Sequence, residues 1–250
     1  IVIPPEDKAP ELSSVQSNIS RETYLEIQRL VSEVFTPIVF ERFGKKLVIQ
    51  DLWGSGRVDA LCSKDDQDNP VISIYGGLAR HPEMTTEALL LIVCHELGHY
   101  LGGAPKVRRG QTSQRGWSSA EGQADYFAAT KCFPKLLNSI HHKVIKYFEE
   151  VSPEFEEKVK GICLSSDKTC ISTVQAGLSA AKVYHALKDY EDFPDIDKRD
   201  NRKVSKTLLS HPSPQCRLDT YVNGANCDIN FDIPFDGEDP KAGACVDNKN

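Results

Sequence analysis

The stretch from Thr85 to Tyr100, TTEALLLIVCHELGHY, constrains the fold more than any other part of the chain. Thr85 offers a helix cap, Glu87 an acidic first turn, and Ala88 to Val93 an unbroken apolar run, so the segment predicts a helix. A helix that is apolar nearly all round must be buried. Gly102, Gly103 and Pro105 supply its stop signals. The second half of a central rod is thereby fixed in a rigid setting, and it carries His95 and His99.

Within that rod, His95-Glu96-Leu97-Gly98-His99 is an HExxH pattern. It puts two imidazoles four residues apart on one helical face with a carboxylate beside them, an arrangement suited to holding one Zn2+ ion while activating water. The competing reading is a pair of core histidines satisfied by backbone carbonyls. A catalytic tetrahedral zinc site takes three protein ligands and leaves the fourth position to water, so a third ligand is needed. The extended pattern HExxHxxGxxH is followed as far as Gly102, but Pro105 stands where its third histidine belongs. The single methionine, Met84, precedes the helix rather than forming a later turn. The metzincin pattern is excluded on both counts.

A glutamate from a following helix is the other source. In Ser118 to Ala129 the two serines are placed to cap a helix, and Ala120, Ala124, Phe127 and Ala128 form an apolar stripe with small residues that permit close approach. Glu121 and Asp125 share a face. Glu121 can then ligate zinc while Asp125 accepts the free ring N–H of a ligand histidine. An acidic first turn complementing the helix dipole is the alternative.

HExxH followed by ExxxD, here His95 to His99 and Glu121 to Asp125, resembles the gluzincin pattern. With its flanks it is most similar to the family of CAAX prenyl endopeptidases and the HtpX, Oma-type and BepA-type peptidases. Ser210-His211-Pro212-Ser213-Pro214-Gln215-Cys216-Arg217 is similar to that family's HPxxxxR segment. The resemblance covers roughly residues 70 to 220. It implies an α+β, zincin-like catalytic domain, mostly helical, with a small sheet in the N-terminal half whose edge strand precedes the HExxH helix and aligns substrate. It also implies that His211 or Arg217 approaches the substrate carbonyl or supports the active-site wall. Read by themselves, Ser213 and Pro214 open a helix that holds His211 and Arg217 near a developing oxyanion, or else a capped surface helix with incidental charge.

No apolar run approaches the roughly twenty residues that span a bilayer. Net charge is −6, which gives no general attraction to nucleic acid. Eight cysteines, at 62, 94, 132, 163, 170, 216, 227 and 245, suggest an oxidising compartment, secreted or periplasmic, with a targeting segment removed. Their spacing favours local bridges Cys163 to Cys170 and Cys216 to Cys227, leaving Cys94 as a core thiol, although eight cysteines allow many pairings. Asn18-Ile19-Ser20 is a glycosylation sequon, and Ser20 also suits a helix cap.

The order of elements follows from periodicity. Residues 1–19 read as a flexible arm, 20–225 as the catalytic domain, and 226–250 as an extended tail pinned by Cys227 that packs across the body or covers the cleft. Ser20 opens an amphipathic helix to about Phe35. Strands are expected over 46–53, 58–63 and 71–75, the last either an edge or a buried central strand. Residues 103–117 read as a lid, a proteolytically sensitive tip or a solvated charged connection. Helices are expected over 134–160, with His141 and His142 on its surface, and over 172–192.

These features predict zinc-dependent peptide hydrolysis, an endopeptidase acting on a peptide or protein substrate. His95, His99 and Glu121 hold the metal, Glu96 is the general base, and His211 or Arg217 stabilises the oxyanion. The alternative is a zinc-stabilised interaction or regulatory protein with a blocked cleft.

Overall fold

The computed structural model describes residues 13–14, 17–108, 116–139, 144–163, 167–188, 190, 192–206, 208–227 and 229–245. Residues 109–115 of the 103–117 segment, His141 and His142, most of the arm, and residues 246–250 lie outside them. Ser20 caps the first helix, α1 (Arg21–Phe43), accepting a hydrogen bond from Thr23 N. The helix runs past Phe35, through Pro37, and stops where Gly44 adopts a left-handed conformation, φ 63°, that costs glycine little. Its inner face, Tyr24, Ile27, Val31, Phe35 and Val39, is buried. The arm is shorter than expected, because Ile19 is buried and Ser17 Oγ donates to Ala79 O at 2.6 Å.

Three strands follow: β1 (Val48–Leu52), β2 (Ala60–Lys64) and β3 (Pro70–Tyr75). The sheet order is β1-β3-β2, with β3 parallel to β1 (Val48 opposite Val71) and antiparallel to β2 (Ala60 opposite Ile74). The strand leading toward the HExxH helix is therefore central, which corrects the edge-strand expectation. Its continuous run Val71 to Ile74 is buried on both faces, as an interior strand requires, and β1 and β2 form the edges. Tyr24 ties α1 to this sheet, donating to Ile74 O at 2.6 Å and accepting from Leu52 N at 3.1 Å.

A short helix α2 (Gly76–Ala79) leads to α3 (Thr86–Leu101), in which Tyr100 alone escapes burial. Thr85 caps it, accepting from Ala88 N. β4 (Lys106–Val107) pairs antiparallel with β5 (Ser118–Ser119). The serines are thus ladder residues, not caps: α4 (Glu121–Phe127) begins behind Ala120 with no side-chain cap. α4 continues through a π-helical turn, Ala128–Cys132, into α5 (Phe133–Ser139).

The expected helix over 134–160 is broken. A 3₁₀ turn at Ile145–Tyr147 precedes α6 (Pro153–Val159), where Ser152 caps a new helix and Pro153 takes its first position. α7 (Lys168–Lys188) buries Ala176, Ala180, Ala181 and Val183. α8 (Pro214–Ala225) starts as read, with Ser213 as cap and Pro214 next. One core joins α1, the sheet, α3, α5 and α7, and a smaller one packs α6 and α7 against Leu218 and Val222 of α8.

Cys163–Cys170 is bonded as expected. Cys94 pairs with Cys132 and Cys227 with Cys245, while Cys216 keeps a free thiol. This corrects the Cys216 to Cys227 bridge. Cys216 lies in the first turn of α8 and Cys227 just past its end, and the nine residues of helical rise from Cys216 to Ala225 span roughly 14 Å, far beyond disulfide reach. Three disulfides are consistent with an oxidising compartment. No helix among the described residues is long and apolar enough to cross a membrane. The C-terminal segment packs across the body: Ala104 N donates to Asp236 O at 2.8 Å, and Phe235 is buried.

Candidate metal centre

Two helices build the centre, and glycine brings them together. A Cβ at Gly98 of α3 would stand 2.7 Å from Ala124 O of α4, so the small residue lets the backbones touch. His95 and His99 project from α3 one turn apart, their rings 4.6 Å between centroids, and Glu121 enters from the first turn of α4. Glu121 Oε2 lies 3.3 Å from His95 Nε2 and 3.7 Å from His99 Nε2. Three donors around one zinc at about 2.0 Å in tetrahedral geometry would stand about 3.3 Å apart, so this donor set fits the ion. Ligand atoms of His95, Glu96 and His99 also lie within 4.8 Å of one another, which puts the Glu96 carboxylate beside the same point.

Both imidazoles are oriented from behind. His95 Nδ1 donates to Asp125 Oδ1 at 2.7 Å and His99 Nδ1 donates to Ser119 O at 2.9 Å. With Nδ1 donating to these acceptors, each ring turns its Nε2 toward the centre. Ser119 is itself held: its hydroxyl donates to Gly103 O at 2.7 Å and accepts from Lys106 Nζ at 3.0 Å. Ser119 escapes a residue-by-residue reading because it acts through its main-chain carbonyl, which any residue possesses.

Asp125 is fully buried and accepts from Arg217 Nε at 2.9 Å, Arg217 Nη2 at 2.7 Å and Tyr221 Oη at 2.6 Å besides His95. Burial works to raise its pKa, but Arg217 and His95 hold the carboxyl well below the usual range. Arg217 stacks over the Tyr184 ring at 3.7 Å and is buried. The structure therefore puts Arg217 behind His95, engaged with Asp125, and not at the mouth where a substrate carbonyl would lie. Its Nη2 comes within 3.1 Å of His95 Nδ1, because both groups donate to one carboxylate.

His211 is on the open side. Its side chain is 43% exposed, and Nε2 lies 3.5 Å from Glu121 Oε2. Burial of the ring pushes its pKa down to about 4 despite the pull of Glu121. Glu121, whose burial works the other way, is held well below the carboxylate range by the three imidazoles. For His95, burial lowers the pKa but Asp125 outweighs it, and the value rises to about 9.

The structure thus brings together His95, Glu96, His99, Glu121 and His211 around one point, with Asp125 and Arg217 behind it. Tyr184, under the Arg217 guanidinium, and Tyr221, donating to Asp125, complete the support. Comparison of the chain with protein-family models, with curated proteins and with solved structures gives no match to any of them.

Proposed function

We propose that the chain is a zinc-dependent peptidase of gluzincin type, cleaving within peptide or protein substrates. The observation that carries this reading is the spacing of His95 Nε2, His99 Nε2 and Glu121 Oε2, with Glu96 at the same point. When bound, zinc would supply a Lewis acid that brings the pKa of a water toward neutrality. Glu96 takes the proton of the attacking water and returns it to the leaving amine. His211, neutral near pH 7, faces the open side and orients the substrate carbonyl by hydrogen bonding. Asp125 and Arg217 act through His95, fixing its tautomer and direction. The three disulfides support a secreted or periplasmic setting.

The test is Glu96→Gln, with zinc measured by plasma mass spectrometry and cleavage of a broad peptide library read by mass spectrometry. The expected result is full zinc occupancy with cleavage lost by at least about a hundredfold. A zinc-loaded wild-type protein that cleaves nothing in the library overturns the reading.

One observation favours a second reading. His211 stands at a distance from Glu121 that suits a fourth protein ligand, and four protein ligands make a closed, structural zinc site. The protein would then be a zinc-stabilised interaction module. His211→Ala separates the two: in the closed site it weakens zinc binding by orders of magnitude, whereas in the peptidase it spares zinc and lowers cleavage.

A further inference from the structure

Away from the metal centre, the C-terminal segment, the last turns of α1 and the α4–α5 rod border a solvent-open cavity of about 450 Å³. About half of its lining is apolar, from Phe35, Ile38, Leu101, Phe127, Ile233 and Phe235. Five charged side chains also line it: Arg42, Lys131 and Lys135 against Glu41 and Asp232. Lys135 is paired with Asp232.

Lys131 and Arg42 are placed differently. Lys131 is 3% exposed, yet its ammonium has only a main-chain acceptor, Asn230 O at 3.0 Å, and a face of the Phe235 ring at 5.1 Å. Arg42, at the rim, reaches Phe235 O at 3.4 Å. Among the described residues neither enters an ion pair. A buried ammonium without a carboxylate costs free energy that an anion would recover. Burial accordingly lowers the pKa of Lys131 to about 8, against the opposing pull of Asp232.

An anion that fits must also cover the phenyl and aliphatic half of the lining, which a bare inorganic ion would leave uncovered. We propose that this cavity binds an aliphatic monocarboxylate, with the carboxylate at Lys131 and Arg42 and a chain of roughly ten carbons along the walls. The volume lies in the range of small-molecule sites. Each methylene buried tightens binding a few-fold, so affinity rises with chain length until the cavity is filled.

The test is isothermal titration of the full chain at pH 7 with decanoate, below the concentration at which it forms micelles, with hexanoate and 1-decanol as controls. One saturable site is expected, with decanoate binding more tightly than hexanoate and at least about tenfold more tightly than decanol. Lys131→Met should weaken decanoate about tenfold or more while leaving decanol unchanged. Arg42→Gln, at the exposed rim, should weaken decanoate several-fold and serves if Lys131→Met does not fold. The absence of saturable decanoate binding overturns the proposal, as does equal affinity for decanol, or wild-type affinity in the variants that fold. Neither outcome bears on the metal centre.

Discussion

Gly98 of α3 lies directly against the backbone of Ala124 in α4, with space for a hydrogen where any other residue carries a Cβ. The imidazoles of His95 and His99 belong to one of these helices and the Glu121 carboxylate to the other, so this contact sets whether three donors can share an ion. Gly98→Ala should force the helices apart by a few tenths of an ångström or more and cost about 1–3 kcal/mol in stability. Zinc affinity should fall with it. Competitive titration against a chromophoric chelator, alongside urea unfolding, checks both.

Asp125 joins three buried side chains, His95, Arg217 and Tyr221, and removing it leaves the Arg217 guanidinium buried without a counter-charge. Asp125→Ala should destabilise by about 3–5 kcal/mol and weaken zinc binding about 10–100-fold. Adding Arg217→Met to it should recover part of the stability but none of the zinc affinity, because the orienting acceptor for His95 stays missing. A double-mutant cycle by urea unfolding and zinc titration reads the two effects separately.

The Cys94–Cys132 disulfide closes 38 residues between α3 and the π turn, and both cysteines are fully buried. Loop closure of that length stabilises by about 4 kcal/mol in the chain-entropy picture. Replacing both cysteines by alanine should lower the unfolding midpoint by a corresponding amount. Cys245, in contrast, is exposed, so mild reduction under native conditions should open Cys227–Cys245 first and Cys94–Cys132 last. Timed alkylation with peptide mass spectrometry gives the order.

Lys131 predicts a pH dependence. Its folded pKa of about 8 lies below the ordinary 10.5, so between those values the unfolded chain binds the extra proton. Stability therefore rises as pH increases from about 8 to 10.5, and the penalty is fully present below 8. Because the ammonium borders a solvent-open cavity, the effect should be about 1–2 kcal/mol, below the ~3 kcal/mol of the full shift. Lys131→Met should flatten that part of the stability profile, measured by urea unfolding at pH 7 and pH 10.5.

The chain by itself determined what depends on neighbours along the backbone. The buried rod from Thr86 to Leu101, its Thr85 cap, the pairing of His95 with His99 one turn apart, the Ser213–Pro214 start of α8 and the short Cys163–Cys170 loop all follow from spacing and local chemistry. The ExxxD spacing likewise placed Glu121 and Asp125 on one face, and their meeting with His95 was legible once a third donor was required. Tertiary structure decided what depends on residues distant in sequence. The apolar run of β3 reads equally as a covered edge or an interior strand, and only the return of β1 and β2 to its two sides made it central. Cys94 acquired Cys132, and Cys227 turned away from Cys216 toward Cys245, because helices fix where cysteines point. Arg217 sits behind the centre with Asp125, since the packing of α8 against α4 sets which side of the histidines it enters. Ser119 orients His99 through a carbonyl oxygen, a group that carries no signature in the identity of its side chain.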